Sequence, residues 1–345
     1  MSNHYIYDPD LEGFSKVESG EHSALKRGEV LISVKVVGIC GSDINRLVHK
    51  IDKPAIGHEW VGKVLRSESD RFKSGDWVTS GAHVACLECP QCKNGIYSQC
   101  TQRKLLGGEG VATILAQETV LREEELIPLP TPRDEKEMRR MSLLEVAFIG
   151  DCAFSQAKRI GLQKEDKVLV FGAGPVGLFS ALAFKERGFD VKIIEPRKER
   201  LGLAEEVDID TVAFSRALIE GNHFNKYDVV VDCSGDSYGA GAISVLGKFA
   251  KIFGKVVIVG RYKKANLIEM DFFEKSLVAA WVSNHQHSEF LKSIEYWFSR
   301  LEKIPDSWQT AFPIEQINEA FEVAKTRSHL KCCLYLNKKE GVHDE

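Results

Sequence analysis

The sequence predicts an α/β protein in which a β-rich first third is followed by a doubly wound parallel sheet. Short strand-like runs separated by glycine and proline turns fill the first third, and from Lys167 onward buried strands alternate with helices. The chain has 345 residues, which is more than a single hydrophobic core usually supports. Two domains are therefore expected.

The first third is predicted to contain four short strands, because β-branched and aromatic residues cluster between turn residues. These strands are residues 30–37, 59–65, 76–79 and 113–120. The proline-rich segment 128–132 closes this region. Beyond it, apolar residues at helical spacing predict one largely buried helix over residues 138–160.

The parallel sheet is predicted from strand, helix and strand at residues 167–171, 175–187 and 191–195. Apolar runs at 227–233 and 255–259 extend the sheet. A helix near residues 288–301, an amphipathic helix within 312–326 and a final strand at 331–336 complete the prediction.

Composition limits the partners and the location. The net charge is -4 and the sequence pI about 6.2, without the clustered basic excess of surfaces that bind nucleic acid or anionic membranes. The amino terminus lacks signal-peptide features, and no apolar run approaches the roughly 18 residues that span a bilayer. We expect a cytoplasmic protein without nucleic-acid or membrane partners, whose nine cysteines serve metal binding or thiol chemistry rather than disulfides.

A glycine-rich turn predicts a dinucleotide site. Residues 172–177 read G-A-G-P-V-G between a buried strand and a helix, where backbone N–H groups and the helix dipole face a pyrophosphate. Glu195 ends the next strand, where a carboxylate would bind ribose hydroxyls and repel a 2'-phosphate, which favours NAD over NADP. The nearby Arg197 and Arg200 keep contact with a 2'-phosphate open. The candidate cofactor-binding residues are Gly172, Gly174, Pro175, Val176, Gly177, Glu195 and Arg200.

Four cysteines lie within fifteen residues: Cys86, Cys89, Cys92 and Cys100. Their thiolates can bind one tetrahedral zinc ion, and four sulfur ligands leave no position for a substrate. The sequence therefore predicts a structural zinc site in a lobe with little core of its own.

A second set of donors is dispersed along the chain: Cys40, His58, Glu59 and Glu145. A cysteine, a histidine and a carboxylate are typical of catalytic zinc, which keeps one coordination position open. From the residues alone, Cys40 could equally be a buried small hydrophobe and the His-Glu pair a solvated turn.

The order of motifs resembles the zinc-dependent medium-chain alcohol dehydrogenases, and within them the polyol dehydrogenases. The motifs are G-I-C-G-S-D at 38–43, G-H-E at 57–59, G-D-W-V at 75–78, the four-cysteine lobe, the acid at 145, G-A-G-P-V-G, and F-P-I-E-Q-I-N-E-A-F at 312–321. They cover nearly the whole chain.

The resemblance implies roles for residues. Cys40, His58 and Glu145 are the expected protein ligands of a catalytic zinc ion, with Glu59 as an exchangeable ligand or a neighbour that orients the others. Ser42 is expected to pass a proton outward, and Asp43 to fix the turn or orient a ligand. Two zinc ions per chain follow, one catalytic and one structural.

The resemblance also implies the domain plan. A Rossmann-type cofactor domain over 148–301 would be inserted into a mostly β, GroES-like catalytic domain formed by 1–147 and 302–345. Residues 255–260 and the segment after them resemble the part through which relatives of this type pair, so a homodimer or homotetramer is expected.

Three departures from the family pattern weaken the inference of a substrate. Only seventeen residues separate Cys40 from His58, so the loop over the substrate is short. Cys152 stands where the family has histidine, either as a buried thiol or as a ligand, and residues 106–113 lack the usual aromatic side chains. The basic residues Arg46, His49, Lys50 and Lys53 are candidates for contact with an acidic or phosphorylated substrate, or are simply solvated.

The resemblance implies an NAD-dependent, zinc-containing dehydrogenase acting on a secondary alcohol of a polyol, sugar alcohol or phosphorylated or cyclic relative, or on the matching ketone. The alternatives are a threonine-dehydrogenase-like substrate and a nucleotide-sensing protein of the same fold that has lost turnover. A zinc-free quinone or enone reductase would lack the ligand set, and a zinc-ribbon nucleic-acid binder would need more local basicity.

Overall fold

The computed structural model describes residues 2–20, 22, 24–51, 54–235, 245–262, 270–282 and 287–336. The chain divides into two units, Met1–Glu145 with Gln286–Glu345, and Val146–His285. The sequence analysis placed the second boundary at residue 302, but residues 286–301 belong to the first unit. There the His287 backbone N–H donates to the Gly95 carbonyl at 3.0 Å, and the His287 ring lies 5.2 Å from the Tyr97 ring.

The amino-terminal part of the first unit consists mainly of strands. The strands are β1 (Ser2–Asp8), β2 (Gly13–Ser19), β3 (Glu29–Gly38), β4 (Glu59–Ser67), β5 (Trp77–Ser80), β6 (His83–Val84), β7 (Lys104–Leu105), β8 (Glu118–Arg122) and β9 (Leu126–Leu129). The helices are α1 (Gly41–Val48), α2 (Pro90–Lys93) and α3 (Glu135–Met141), with 3₁₀ turns at Tyr97–Gln99 and Glu123–Glu125.

The second unit contains the doubly wound sheet that the sequence predicts. Its strands are β10 (Lys167–Phe171), β11 (Asp190–Glu195), β12 (Asp210–Ala213), β13 (Tyr227–Asp232), β14 (Ala250–Ile258) and β15 (Val278–Trp281). Its helices are α4 (Leu144–Arg159), in which the first unit boundary falls, α5 (Pro175–Lys185), α6 (Lys198–Glu205), α7 (Phe214–Glu220), α8 (Leu246–Phe249) and α9 (Met270–Glu274). All neighbouring strands pair in parallel in the order β12-β11-β10-β13-β14-β15, so the carboxyl ends of β10 and β11 lie side by side.

The carboxyl-terminal part of the first unit completes the β-sheet that positions the candidate site. It contributes α10 (His287–Phe298), β16 (Gln309–Pro313), α11 (Ile317–Thr326) and β17 (Lys331–Tyr335), with 3₁₀ turns at Leu301–Lys303, Asp306–Trp308 and Ile314–Gln316. The seven-stranded sheet has the order β16-β17-β3-β4-β5-β9, and β8 also pairs with β3. Strand β3 therefore lies between β17 and β4, and its buried aliphatic residues contribute to the main core of this unit.

Several predicted elements differ from the structure. The helix predicted over 138–160 is two helices, because the Ser142 N–H and hydroxyl both donate to the Arg139 carbonyl, 3.2 and 2.7 Å away, and end α3. The strand predicted over 113–120 begins only at Glu118, and the segment predicted as one helix within 312–326 contains the end of β16 before α11. Strands β1, β2, β6, β7, β9 and β12 have no counterpart in the prediction.

Among the described residues, no helix has both the length and the apolar character that crossing a membrane requires.

Candidate active site and metal centres

Two neighbouring strand ends bring the dispersed donors together. Cys40 follows β3 and caps the amino terminus of α1, whereas His58 directly precedes β4. Gly38 at the end of β3 pairs with Glu59 at the start of β4. As a result, one donor atom from each of Cys40, His58 and Glu59 lies within 4.8 Å of the other two.

Asp43 is the buried acceptor behind this cluster. Its side chain is fully buried; Oδ2 accepts the Cys40 backbone N–H at 3.0 Å, and Oδ1 lies 3.5 Å from His58 Nδ1. Burial lowers the pKa of His58, but the Asp43 carboxylate and the Cys40 thiolate outweigh it, so this pKa lies well above its ordinary value. Asp43 and Cys40 therefore favour a positive charge at His58, and either a proton or a bound cation can supply it.

Lys331 is a functional candidate that the sequence analysis missed. Its strand β17 pairs with β3, and Lys331 Nζ donates to Glu59 Oε2. Burial lowers the pKa of Lys331, but the Glu59 carboxylate outweighs it and raises this pKa above its usual range. The sequence offered one signal, a lysine at the start of an otherwise apolar strand, and the structure shows this lysine to be only 3% exposed.

Glu145 lies near the cluster without being a member of the group within 4.8 Å. Burial of its carboxylate raises the pKa of Glu145 to about 7, the positive charge of His58 opposes the rise, and the Glu59 carboxylate adds to it. These interactions join Glu145 to the same buried network of charges. Of the four predicted donors, Cys40, His58 and Glu59 thus place one atom each within 4.8 Å of the others. The fourth, Glu145, interacts with His58 and Glu59 through their charges.

Ser42 lies on α1 two residues after Cys40. Its Oγ accepts a hydrogen bond from Arg46 Nη1 at 3.2 Å, and the same nitrogen donates to Asp43 Oδ1 at 3.2 Å. Ser42 and Arg46 are partly exposed, whereas Asp43 is buried. The hydroxyl that the sequence analysis assigned to proton transfer therefore lies on the accessible side of the helix.

The four predicted structural ligands also form a cluster. One sulfur atom from each of Cys86, Cys89, Cys92 and Cys100 lies within 4.8 Å of the others. The Cys89–Cys92 and Cys86–Cys92 sulfur distances are 3.5 and 4.0 Å, far from a disulfide and near the roughly 3.8 Å between two thiolates on a tetrahedral zinc ion with Zn–S bonds of about 2.3 Å. Backbone N–H groups of Cys86 and Gln102 donate to the Cys100 sulfur. This donor set fits zinc.

The lobe around these cysteines has little apolar core. Ala85, Cys92 and Cys100 are its buried residues, and Leu87 and Tyr97 pack against them. Backbone N–H groups lower the pKa of Cys89 to about 6, whereas burial raises the pKa of Cys92 to about 12. A zinc ion bound to the four sulfurs would remove the proton from each thiol and would hold together a lobe with little apolar core.

The glycine-rich turn of the second unit has the shape that the sequence predicts. Gly172 has φ +95°, and a Cβ at Gly177 would lie 1.8 Å from the Gly172 carbonyl oxygen, so neither position accepts a side chain. Gly174 caps α5, Pro175 is its first residue and Val176 follows. Backbone N–H groups at the start of this helix suit a phosphate.

Glu195 and Arg200 lie beside this turn. Glu195 ends β11 fully buried, and its carboxylate accepts the Ala173 N–H at 2.8 Å and the Arg197 N–H at 3.1 Å. The Arg200 guanidinium lies beside Gly174: a Cβ placed on that glycine would be 3.4 Å from Arg200 Nη1. The predicted cofactor residues therefore form one group at the carboxyl ends of β10 and β11.

A second network at this edge of the sheet was also missed. Tyr262 and Ser234 each donate a hydroxyl to the buried Asp232 carboxylate at 2.6 Å. Burial raises the pKa of Asp232. The backbone of Cys233, next to Asp232, lies against the glycine-rich turn, since a Cβ placed on Gly172 would be 3.4 Å from it.

Comparisons with known proteins agree on one kind of protein. The model of the alcohol dehydrogenase GroES-like domain matches residues 26–131. The uncharacterized zinc-type alcohol dehydrogenase-like protein YphC of Escherichia coli (strain K12) is 29% identical over 316 residues, which cover 81% of this chain and 84% of that protein. A putative D-xylulose reductase of Rhizobium meliloti (strain 1021) is 31% identical over 248 residues, which cover 67% of this chain and 69% of that protein.

A solved structure extends the similarity to the whole chain. The crystal structure of galactitol-1-phosphate dehydrogenase from Escherichia coli matches with a TM-score of 0.81, covering 97% of this chain and 100% of that one. At 20% identity this similarity concerns the fold. Together with the domain match, it confirms the predicted fold class.

Proposed function

The chain belongs to the zinc-type alcohol dehydrogenase family, and from this premise we propose that it is an NAD-dependent dehydrogenase of a polyol, a sugar alcohol or a phosphorylated or cyclic relative. It oxidises a secondary alcohol or reduces the matching ketone. The observation that carries the proposal is the convergence of Cys40, His58 and Glu59 donor atoms within 4.8 Å.

Cys40 and His58 would hold the catalytic zinc ion, with Glu145 as the third protein ligand and Glu59 as an exchangeable one. When bound, zinc acts as a Lewis acid that lowers the pKa of a substrate hydroxyl and orients it. Asp43 keeps the His58 ring oriented through Nδ1. Lys331 holds Glu59 by an ion pair, so that this carboxylate need not occupy the position that the substrate requires.

Ser42 is the proposed acceptor of the substrate proton. Its Oγ lies on the exposed side of α1 and accepts a hydrogen bond from Arg46, which stabilises negative charge on that oxygen. As Ser42 Oγ takes the proton of the substrate hydroxyl, it gives up its own hydroxyl proton toward solvent, so that the serine is neutral before and after the step. A bound nicotinamide coenzyme supplies the hydride acceptor.

We propose NAD rather than NADP as that coenzyme. The support is the buried Glu195 carboxylate at the end of β11, which the Ala173 and Arg197 N–H groups hold at the strand end where an acid binds ribose hydroxyls in this kind of fold. The Arg200 guanidinium beside Gly174 is the feature that would favour a 2'-phosphate. A kcat/KM ratio above about ten for NAD over NADP supports the assignment to Glu195, and the reverse ratio assigns the site to Arg200.

The four-cysteine lobe is proposed to hold the second zinc ion, with a structural role. Its support is the all-sulfur donor set, which leaves no vacancy for a substrate.

A homodimer or homotetramer is proposed from the apolar surface near the edge strand β15 of the second unit. Phe253, Phe273 and Trp281 are 74, 81 and 47% exposed. Large exposed apolar side chains near an open strand edge are typical of a surface that another chain covers. A cytoplasmic location stays a proposal, made from the sequence features of the amino terminus and the lack of a long apolar run.

The test is one panel of measurements on the purified protein. Zinc per chain is determined by elemental analysis, and NADH formation is followed with polyols, their phosphates and threonine. The proposal expects two zinc ions per chain and turnover of at least one polyol or polyol phosphate. One zinc ion per chain without turnover of any substrate would contradict it, and turnover of threonine alone would reassign the substrate.

A further inference from the structure

Helix α1 carries a hydroxyl and a guanidinium on one accessible face beside the mixed-donor site. Ser42 and Arg46 are four residues apart, which makes them neighbours on a helix. Both side chains are partly exposed, whereas Asp43 points into the protein with no exposed surface. A ligand that reaches Ser42 from solvent therefore meets Arg46 as well.

The Arg46 guanidinium retains hydrogen-bond donors that no described residue uses. Its Nη1 donates to Ser42 Oγ and to Asp43 Oδ1. Within the described part of the chain, Nε and Nη2 have no acceptor, and the side chain is 16% exposed. A guanidinium carries five N–H donors in a planar fork that matches two oxygens of a carboxylate or a phosphate.

Asp43 uses only one nitrogen of the Arg46 guanidinium as a hydrogen-bond donor. Its Oδ2 accepts the Cys40 N–H, and its Oδ1 serves both Arg46 and His58. One oxygen is thus shared between two groups of positive or partly positive charge. The part of the Arg46 fork that points away from Asp43 keeps its attraction for a second anion.

The other basic side chains of this region are engaged elsewhere. Lys50 is 71% exposed and pairs with Glu12 at 2.7 Å, and Lys331 is buried against Glu59. Lys53, which the sequence analysis also named, lies outside the described residues. Arg46 is the basic residue whose contacts tie it to Ser42 and, through Asp43, to His58.

We propose that Arg46 determines specificity and that the substrate carries an anionic group, a phosphate monoester or a carboxylate, which binds the Arg46 guanidinium while its reacting hydroxyl faces Ser42. The inference rests on the proposed function of this site. The competing role for Arg46 is purely to position Ser42 and Asp43, in which case its removal would affect neutral and anionic substrates alike.

The experiment compares sorbitol, sorbitol 6-phosphate and gluconate with the zinc-loaded wild type, Arg46→Met and Arg46→Lys. The wild type is expected to prefer one anionic compound over sorbitol by at least about tenfold in kcat/KM. Arg46→Met should lower kcat/KM about 100-fold for that compound, mainly through KM, and about fivefold for sorbitol. Arg46→Lys should restore only part of the preference, because lysine keeps the positive charge but lacks the planar guanidinium that binds two oxygens at once. Whether the phosphate or the carboxylate responds identifies the group.

The matched control is Arg66→Met on β4, which removes the same charge from an exposed side chain. It should leave the preference at the wild-type value. An equal loss for sorbitol and the anionic compounds in Arg46→Met, or a wild-type preference for sorbitol, would overturn the inference.

A binding measurement separates this inference from the proposed function. If no compound is turned over, titration calorimetry measures sorbitol 6-phosphate and gluconate binding to the zinc-loaded wild type and to Arg46→Met. Binding that Arg46→Met weakens at least about tenfold would support the anion site although turnover failed. No binding, or equal binding to both proteins, would reject the site.

Discussion

The four-cysteine cluster and the mixed cluster differ in how the chain assembles them. Cys86, Cys89, Cys92 and Cys100 come from one local segment with few buried apolar neighbours. The mixed cluster draws on the ends of β3 and β4 and depends on Lys331 from β17, three strands of one sheet. The first cluster can hold its segment together, whereas the second requires the folded sheet before it exists.

The surroundings of the two clusters differ as well. The mixed cluster has Asp43, Lys331 and Glu145 around it, so its charge is balanced by buried protein groups. The thiols of the lobe are instead surrounded by backbone N–H groups and a partly exposed arginine. Buried charge costs free energy of folding and is typical of sites that perform chemistry. This difference supports the proposal that the mixed site performs the chemistry and that the lobe has a structural role.

The largest effect is expected from Cys40→Ser. This change removes one proposed ligand of the mixed cluster, next to a strand whose pairing does not depend on the thiol. The kcat/KM should fall by about 10⁴-fold or more, zinc per chain should drop from two to one, and the circular dichroism spectrum should be retained. Steady-state kinetics and elemental analysis check this.

Cys152→Ala is the control for a buried thiol on α4. We expect both zinc ions and most of the activity to remain. Loss of a zinc ion in this variant would make Cys152 a ligand, and unfolding of Cys40→Ser would break the distinction between the two clusters.

The next effect in size is expected from Lys331→Met. Without the ammonium group, the buried Glu59 carboxylate has lost its partner, and the metal-free protein should lose about 3 to 5 kcal/mol of stability. Zinc should reduce this loss, because its charge compensates Glu59. Lys331→Arg, which keeps the charge, is the control. Urea unfolding with zinc and with a chelator measures both, and an equal loss under the two conditions would separate Lys331 from the metal site.

Much of the fold followed from local patterns in the sequence. The strand and helix around Gly172 are set by neighbours in the chain and occur as predicted, and the close spacing of Cys86 to Cys100 lets one local segment bring four sulfur atoms within 4.8 Å of one another. Strands β1 and β2 were missed because their residues do not show a clear strand pattern, and the two segments form a sheet by pairing with each other. The break between α3 and α4 depends on one hydroxyl of Ser142, which periodicity does not detect.

The candidate site was predictable only in part. Cys40, His58 and Glu59 stood out because of their residue types, but their convergence depends on the register of β3 and β4. Lys331 escaped notice because the chain separates it from Glu59 by 272 positions. The Asp232, Ser234 and Tyr262 network likewise joins the ends of different strands and turns, which no spacing rule reveals.

A smaller loss of stability is expected from Cys92→Ser. The buried Cys92 sulfur lies close to those of Cys86 and Cys89, so its loss should release the structural zinc ion and cost about 2 to 3 kcal/mol. The zinc content should fall to one per chain, and the remaining folded protein should keep its kcat. Thermal unfolding and zinc analysis test this. Unchanged stability with a loss of kcat would reverse the roles of the clusters.

The smallest effect is expected from Arg122→Met at the base of the lobe, a variant that tests whether the lobe affects zinc release without affecting kcat. Arg122 Nη2 donates to the Ala85 carbonyl at 2.9 Å and to Glu125 Oε1 at 2.7 Å, next to Cys86. Its side chain is 43% exposed, so we expect a loss of only about 1 kcal/mol. Zinc should leave the lobe several times faster in a chelator competition, because Arg122 fixes the backbone before Cys86, while kcat stays within about twofold. The control is Arg71→Met, where the exposed arginine contacts the Glu123 carbonyl but none of the cysteines. Unchanged zinc release together with a fall in kcat in Arg122→Met would contradict a purely structural role of the lobe.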